Sequence, residues 1–270
     1  MKNNMIQKFN SFQLQSRLWI ALIGIPLLLG STRLNLFAFL TFWTLVWVFM
    51  LLELAELIQV KNQKKYLFIL CASLMYIFFI QASFTSWASW VLRVSWLIFP
   101  LSIWLIIKFP KKEHVLIYFA YLAYITFPLF FLFHIFQKLG SNSIVLILLG
   151  VWAVDTFSYF TGITFGKHPI APKLSPKKTI EGTLGGIIGA SLVFLVLLHY
   201  FKLPIYGLNP YLWSLLLMLS AFTGDLLESY LKRQFGKKDS GEILMGHGGM
   251  LDRFDSMLFF VFAYILVLLS

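Results

Sequence analysis

Apolar residues in this chain fall in long unbroken runs, not in the alternation of a half-buried strand or the one-sided stripe of a surface helix. Nine runs stand out, at 18–29, 35–57, 66–84, 88–107, 115–136, 143–164, 183–201, 209–230 and 251–269. All but the first reach the roughly 17–25 residues that cross a bilayer as a helix; the first is short, either extended at its ends or re-entrant. Backbone groups in hydrocarbon must pair internally, which leaves helices or a closed barrel, and runs without alternation argue against the barrel. The pattern predicts an all-α integral membrane protein of about nine transmembrane helices. The loops between them are short and leave no room for a separate soluble domain.

Composition agrees. The 270 residues are 59% hydrophobic with a mean hydropathy of +0.82, against about 45–50% apolar in soluble domains. Lys2, Lys8 and Arg17 precede the first apolar run as in a signal peptide, but no small-residue cleavage site follows residues 27–29, so this run reads as a retained span. The single cysteine, Cys71, excludes an internal disulfide and reads as a small packed hydrophobe in the run 67–80.

A net charge of +11 raises the question of nucleic acid, which the placement of the charges answers. With nine spans, the N-terminus and loops 58–65, 108–114, 165–182 and 231–250 share one face and hold 17 of the 22 Lys and Arg residues. The other face has Arg33, Lys138 and Lys202, while Arg93 falls inside a span and Arg253 just inside the last one. Such asymmetry is the positive-inside signal: a cytoplasmic N-terminus, an external C-terminus, and basic loops attracted to anionic membrane lipids. Nucleic acid is not an expected partner. The expected location is the cell (inner or plasma) membrane.

Eight of the eleven acids lie at or after Asp155. The chain therefore divides into N-terminal scaffold helices, 1–142, and a C-terminal region, 143–270, that carries the chemistry. In the scaffold, Glu53, Glu56 and Arg93 read as buried exceptions that pair with one another or lie near an interface. No internal repeat is visible, which weakens an inverted-repeat transporter.

Within 224–255, Asp225, Glu228, Ser229 and Lys232 share one helix face by their i, i+3, i+4, i+7 spacing. Asp225 lies roughly 10 Å deeper than the following loop. An ionised carboxylate there costs about 2.5–3.5 kcal/mol on insertion scales, so a compensating partner is required, and a cation in a polar cavity is a natural one. Asp252 and Asp255 stand on one face of the last span. Two acidic helix faces toward one opening suit Mg²⁺, which takes few protein carboxylates and keeps positions for water and phosphate oxygens. Two acids close together also attract a second cation, whose identity is open.

The intervening loop has the opposite sign. Lys232, Arg233, Lys237 and Lys238 are candidates for phosphate contacts. Gly246-His247-Gly248-Gly249 allows close backbone approach and leads into a helix N-terminus, a favourable place for phosphate. Each feature alone has a bland reading: basic loops as topology, His247 as a surface residue, Asp225 as an ion-pair partner. The conjunction favours a metal-bound polyphosphate at the membrane surface. A second basic loop, 165–182, lies on the same face. Lys167, Lys173, Lys177 and Lys178 crowd it, Ser175-Pro176 is expected to set a turn, and Thr179 precedes Glu181 and Gly182. Gly182 with Gly186, and Gly185 with Gly189, read as helix-packing pairs, and small-residue faces of this kind are where a homodimer would form.

These segments resemble phosphatidate cytidylyltransferases (CDP-diacylglycerol synthases). The resemblance rests on Ser229-Tyr230-Leu231-Lys232-Arg233, Lys238-Asp239, Gly241 and His247-Gly248-Gly249-Met250-Leu251-Asp252-Arg253-Phe254-Asp255, on Ser175–Gly182, and on the Asp-x-x-Ser-Tyr beginning at Asp155. It covers residues 152–256; Met245 departs from the family's usual proline or glycine, and residues 1–150 share only membrane character. The resemblance implies condensation of CTP with phosphatidic acid to CDP-diacylglycerol and pyrophosphate. It implies Mg²⁺ between Asp225 and Asp252, with Asp255 or Asp239 as further ligands. Lys232, Arg233, Lys238 and His247 would stand at the reacting phosphates, with Gly248 and Gly249 beside them. Ser175, Lys177, Lys178, Thr179 and Glu181 would hold the nucleotide. The alternatives are a CTP-dependent polyprenol or lipid kinase, or an ion or phosphate transporter.

Overall fold

The computed structural model describes residues 22–60, 62–84, 88–111, 114–172, 174–204, 209–241 and 248–269. His247 and Lys173 therefore lie outside the described residues. The described chain forms α1 (Leu22–Leu34), then α2 (Leu36–Leu57), α3 (Asn62–Ser83), α4 (Ala88–Lys108), α5 (Val115–Leu139) and α6 (Ser141–Phe165). A hairpin of β1 (Pro169–Ala171) and β2 (Ser175–Thr179) follows, then α7 (Ile180–Tyr200), α8 (Pro210–Gln234) and α9 (Leu251–Leu269). Seven of these helices, α2 to α8, contain spans long and apolar enough to cross a membrane. The chain is an all-α, multi-pass membrane protein. Helix α1 would extend about 20 Å at 1.5 Å per residue, short of the roughly 30 Å hydrocarbon core.

Local chemistry sets the helix ends. The Asn35 side chain accepts from the Ala38 N–H at 2.8 Å and starts α2 one residue after α1 stops. Gly140, at φ +76°, ends α5 and starts α6, a backbone region that glycine enters without a Cβ penalty. Asn209 caps α8 with Pro210 at its first position. Helix α5 runs through the centre, packed by α2, α3, α4, α6 and α9, with Tyr121, Tyr124, Phe127 and Phe131 fully buried. Pro128 lies inside it without ending it, as membrane helices tolerate when neighbours re-satisfy the freed carbonyl.

Helices α6 and α7 pack closely, and glycine is the reason. A Cβ on Gly182 would lie 2.9 Å from the Ser158 carbonyl oxygen and 3.0 Å from the Gly162 Cα; one on Gly186 would meet the Ser158 hydroxyl and the Val154 carbonyl. Gly185 and Gly189 face Thr161 and Phe157 in the same way. The glycine face of α7 is thus filled within the chain, and any pairing of two copies would use another surface.

Several expectations need correction. Glu56 and Arg93 are exposed, and only Glu53 is buried; Glu56 pairs with Lys65 at 3.8 Å, not with Arg93. Cys71 is exposed on α3. Ser175-Pro176 does not form the turn: both residues belong to β2, paired so that Ala171 faces Ser175 and Pro169 faces Thr179. Lys232 and Arg233 ride on the last turn of α8, which runs four residues past its predicted end. Long basic side chains extend past a helix end to reach the interface while their stems stay in apolar surroundings.

The basic loops do gather at one end of the bundle. Lys237 Nζ donates to the Glu56 carbonyl at 3.1 Å, and Tyr230 Oη donates to the Ile107 carbonyl at 3.1 Å. Arg233 Nε donates to the Leu174 carbonyl at 3.3 Å. Gln59, Lys111 and Arg233 line one shallow pocket.

Candidate active site

The hairpin is organised by Thr179 at its end and Glu181 just beyond it. Thr179 Oγ1 accepts from the Gly182 N–H at 3.1 Å and caps α7. Glu181, on the first turn of α7, accepts from the Lys167 and His168 N–H groups at 3.0 and 3.2 Å, and its other oxygen lies 2.5 Å from His168 Nδ1. Glu181 is therefore engaged in folding the loop. With both strands fixed, Lys178 reaches Asp225 on α8 and forms an ion pair, its ammonium 5.6 Å from the Phe222 ring.

This contact joins the two sequence clusters around one cavity of about 580 Å³. Ser175, Lys177, Lys178 and Thr179 line one side; Asp155, Ser158 and Tyr159 of α6, Asp225 of α8 and Ser256 of α9 line the rest. Asp155, Asp225 and Asp255 come from three helices and interact electrostatically with one another. Arg253 and Lys178 also act on Asp155, and the fully buried Tyr124 faces Asp225, Glu228 and Asp255 with no hydrogen-bond partner for its hydroxyl.

Below this lies a second group. Lys232 pairs with Glu228, which is 0% exposed, and with Asp252 Oδ1 at 2.5 Å. Asp252 Oδ2 accepts from the Ser240 N–H at 2.9 Å, the Ser240 hydroxyl at 3.0 Å and the Gly249 N–H at 2.6 Å. Both Asp252 oxygens are thus engaged. Gly248, at φ +79°, turns the chain where a Cβ would meet Asp252. Arg233 joins the hairpin to the end of α8: besides its bond to Leu174, its Nη1 donates to the Lys237 carbonyl at 2.8 Å. Lys238 and Asp239 are exposed and do not line the cavity.

The carboxylates Asp155, Asp225, Glu228, Asp252 and Asp255 and the cations Lys178, Lys232 and Arg253 thus interact electrostatically in this part of the bundle. Among the described residues no three His, Cys, Asp or Glu side chains are gathered into a ready coordination shell. An ion that fills most of its shell with water and phosphate oxygens needs only one or two of them.

The sequence model of the cytidylyltransferase family matches residues 15–270. The chain belongs to the cytidylyltransferase family. Among curated cytidylyltransferases, the phosphatidate cytidylyltransferase of Staphylococcus haemolyticus is 49% identical over 125 residues, covering 44% of this chain and 46% of that protein. The phosphatidate cytidylyltransferases of Thermotoga maritima (39% over 131 residues, 46% of this chain and 48% of that protein) and Aquifex aeolicus (38% over 123 residues, 46% of each) are similar to it as well. The matched stretch spans just under half of each of these relatives. Tyr124 and Glu53 (below) also surround the site although no sequence pattern gave them a role in it, while Asp155, Glu228 and Arg253 stand in the sequence clusters without being among the expected ligands. For Asp155 and Glu228 the signal was charge at membrane depth; Tyr124 gave none.

Proposed function

We propose that this protein is a phosphatidate cytidylyltransferase, joining CTP to phosphatidic acid and releasing pyrophosphate. One observation carries the reading: the Lys178–Asp225 pair, which closes the basic hairpin over the acidic helices around a single cavity. A cavity with cations on one wall and acids on the other suits a metal-associated triphosphate.

The hairpin residues Ser175, Lys177, Lys178 and Thr179 bind the nucleotide phosphates. An oxygen of the lipid phosphate attacks the α-phosphorus of CTP, a new P–O bond forms, and the bond to the β-phosphate breaks with its electron pair leaving on pyrophosphate. The nucleophile is already anionic, so orientation and charge neutralisation do the work and no strong base is needed. Lys178, moving from Asp225 to a phosphate, and Lys232 on the last turn of α8 hold that charge in place. Asp225, with Asp155 beside it, would hold Mg²⁺; Asp255 stands behind, and Asp252 joins only where Lys232 and the Ser240 segment release it. When bound, Mg²⁺ supplies positive charge to the triphosphate and to the departing pyrophosphate. By the positive-inside rule the hairpin end of the bundle faces the cytoplasm of a plasma membrane, where CTP is found.

The test uses purified protein in detergent–lipid micelles with phosphatidic acid, Mg²⁺ and CTP labelled at the α or γ position. Transfer of the α label to lipid, with the γ label in pyrophosphate, is the expected outcome. Transfer of the γ label to a lipid alcohol would make the protein a kinase, and no transfer would favour transport.

A further inference from the structure

Glu53 lies in the N-terminal half, near the end of α2, and is 2% exposed. A carboxylate at such a place is costly unless its lone pairs are filled. They are filled from the far end of the chain. Glu53 Oε1 accepts from the Met250 N–H at 2.8 Å, and Oε2 accepts from the Leu251 N–H at 2.8 Å. The Ser240 hydroxyl lies 3.3 Å from Oε2 and 3.0 Å from Asp252 Oδ2; with one proton to give, it favours the shorter contact and bridges the two acids.

The two N–H groups belong to the entry of α9, whose first donors have no partner within the helix. Asp252 reaches back to the Gly249 N–H from within α9, while Glu53 reaches the next two from another helix. A negative charge at this end is also favoured by the helix dipole. Two glycines, Gly241 and Gly249, are fitted to the same carboxylate. A Cβ on Gly249 would run into Glu53 and Ser240, and one on Gly241 would sit 2.9 Å from Glu53. Hydrogen bonds and excluded volume thus point to Glu53 independently.

We propose that Glu53 is a positioning residue for the reaction: it fixes the start of α9, and through Ser240 and the Gly249 turn it sets where Asp252 and Asp255 stand. This rests on the cytidylyltransferase reading of the site. The scaffold half of the chain thereby supplies a residue to the machinery of the other half. A residue acting in this way alters the rate of the chemical step more than the affinity for either substrate.

The experiment compares wild type with Glu53→Gln, which keeps size but turns one acceptor into a donor facing the Leu251 N–H, and with Glu53→Leu. Steady-state kinetics with CTP and phosphatidic acid are read beside hydrogen exchange of the intact protein in micelles. The expected result for Glu53→Gln is a kcat at least about 10-fold lower with both KM values within about three-fold, since roughly 1.4 kcal/mol corresponds to a factor of ten. Exchange should quicken at the Met250 and Leu251 amides and stay unchanged in α5 and α6. Unchanged exchange at those two amides, or an unchanged kcat, overturns the proposal; quickened exchange throughout the helices overturns it too, showing a merely structural acid. A wild-type protein that makes no CDP-diacylglycerol would defeat the function reading alone, because exchange at Met250 and Leu251 still reports whether Glu53 holds them. Should Glu53→Leu fail to fold, Glu53→Gln and Ser240→Ala carry the comparison.

Discussion

Lys178 of β2 and Asp225 of α8 form an ion pair across the cavity, 47 residues apart in sequence and on different elements. The pair leaves neither member as an isolated charge at membrane depth, and on the proposed function it joins the cation that would bind phosphate to the acid that would hold the metal. On that reading arriving substrate would separate them, and replacing either one should leave a distinct kinetic trace.

Lys178→Ala is expected to raise the KM for CTP about 10-fold, the effect of losing one charge-assisted hydrogen bond, with little change in the KM for phosphatidic acid. Asp225→Asn and Asp252→Asn should instead lower turnover by about 100-fold or more at saturating CTP, with expression and elution profile intact. Near-normal turnover of Asp225→Asn at high Mg²⁺ would remove that residue from the metal site.

Arg233→Lys tests whether the guanidinium acts as a tie. Its Nε and Nη1 bond two carbonyls, Leu174 and Lys237, that a single ammonium cannot reach in the same planar geometry. Faster protease cleavage within 167–174 and a raised KM for CTP are expected. Wild-type cleavage rates would show that the hairpin stands without it.

Gly186→Val should destabilise the α6–α7 pair by about 1–3 kcal/mol, since its side chain would overlap Ser158 and the Val154 carbonyl. Thermal unfolding in detergent measures it. Gly24→Ala, with nothing within 4 Å of its Cβ, is the control and should be neutral.

Topology can be read with single cysteines, because Cys71 is the only native one. In a Cys71→Ser background, an impermeant maleimide should label cysteines at 111 and 237 only after cells are opened, and cysteines at 138 and 202 in intact cells. The reverse pattern would invert the membrane orientation.

The spans were legible because hydrocarbon imposes one rule on every residue in them, and helices such as α5 and α6 begin within two residues of their apolar runs. Charge misled at the ends: Lys232 and Arg233 looked like loop residues because their heads need water, although their backbone stays helical. The hairpin gave no signal, since Ser175–Thr179 has no alternation to bury and is held by contacts such as Glu181 to His168. In the site, Asp225 and Asp252 were visible from their helix faces. Nothing local marked Glu53 as a partner of Leu251, because a buried acid announces that it needs donors without saying that they lie 198 residues away.

Tyr159 and Ile163 wall the cavity, yet they are 64% and 68% exposed on the outer side of α6. One wall of the cavity is therefore also part of the exposed outer surface of α6, the surface that bilayer acyl chains would cover. Carrying a lipid through water costs about 0.8 kcal/mol for every methylene uncovered, a sum no binding site could return for two long tails. For the proposed lipid substrate, an entrance on this side would remove that transfer: the tails would stay dissolved in their own phase, and only the headgroup would cross into the protein. On the proposed function the molecule would work at a phase boundary, with a water-soluble nucleotide arriving from one end and an insoluble lipid entering from the flank.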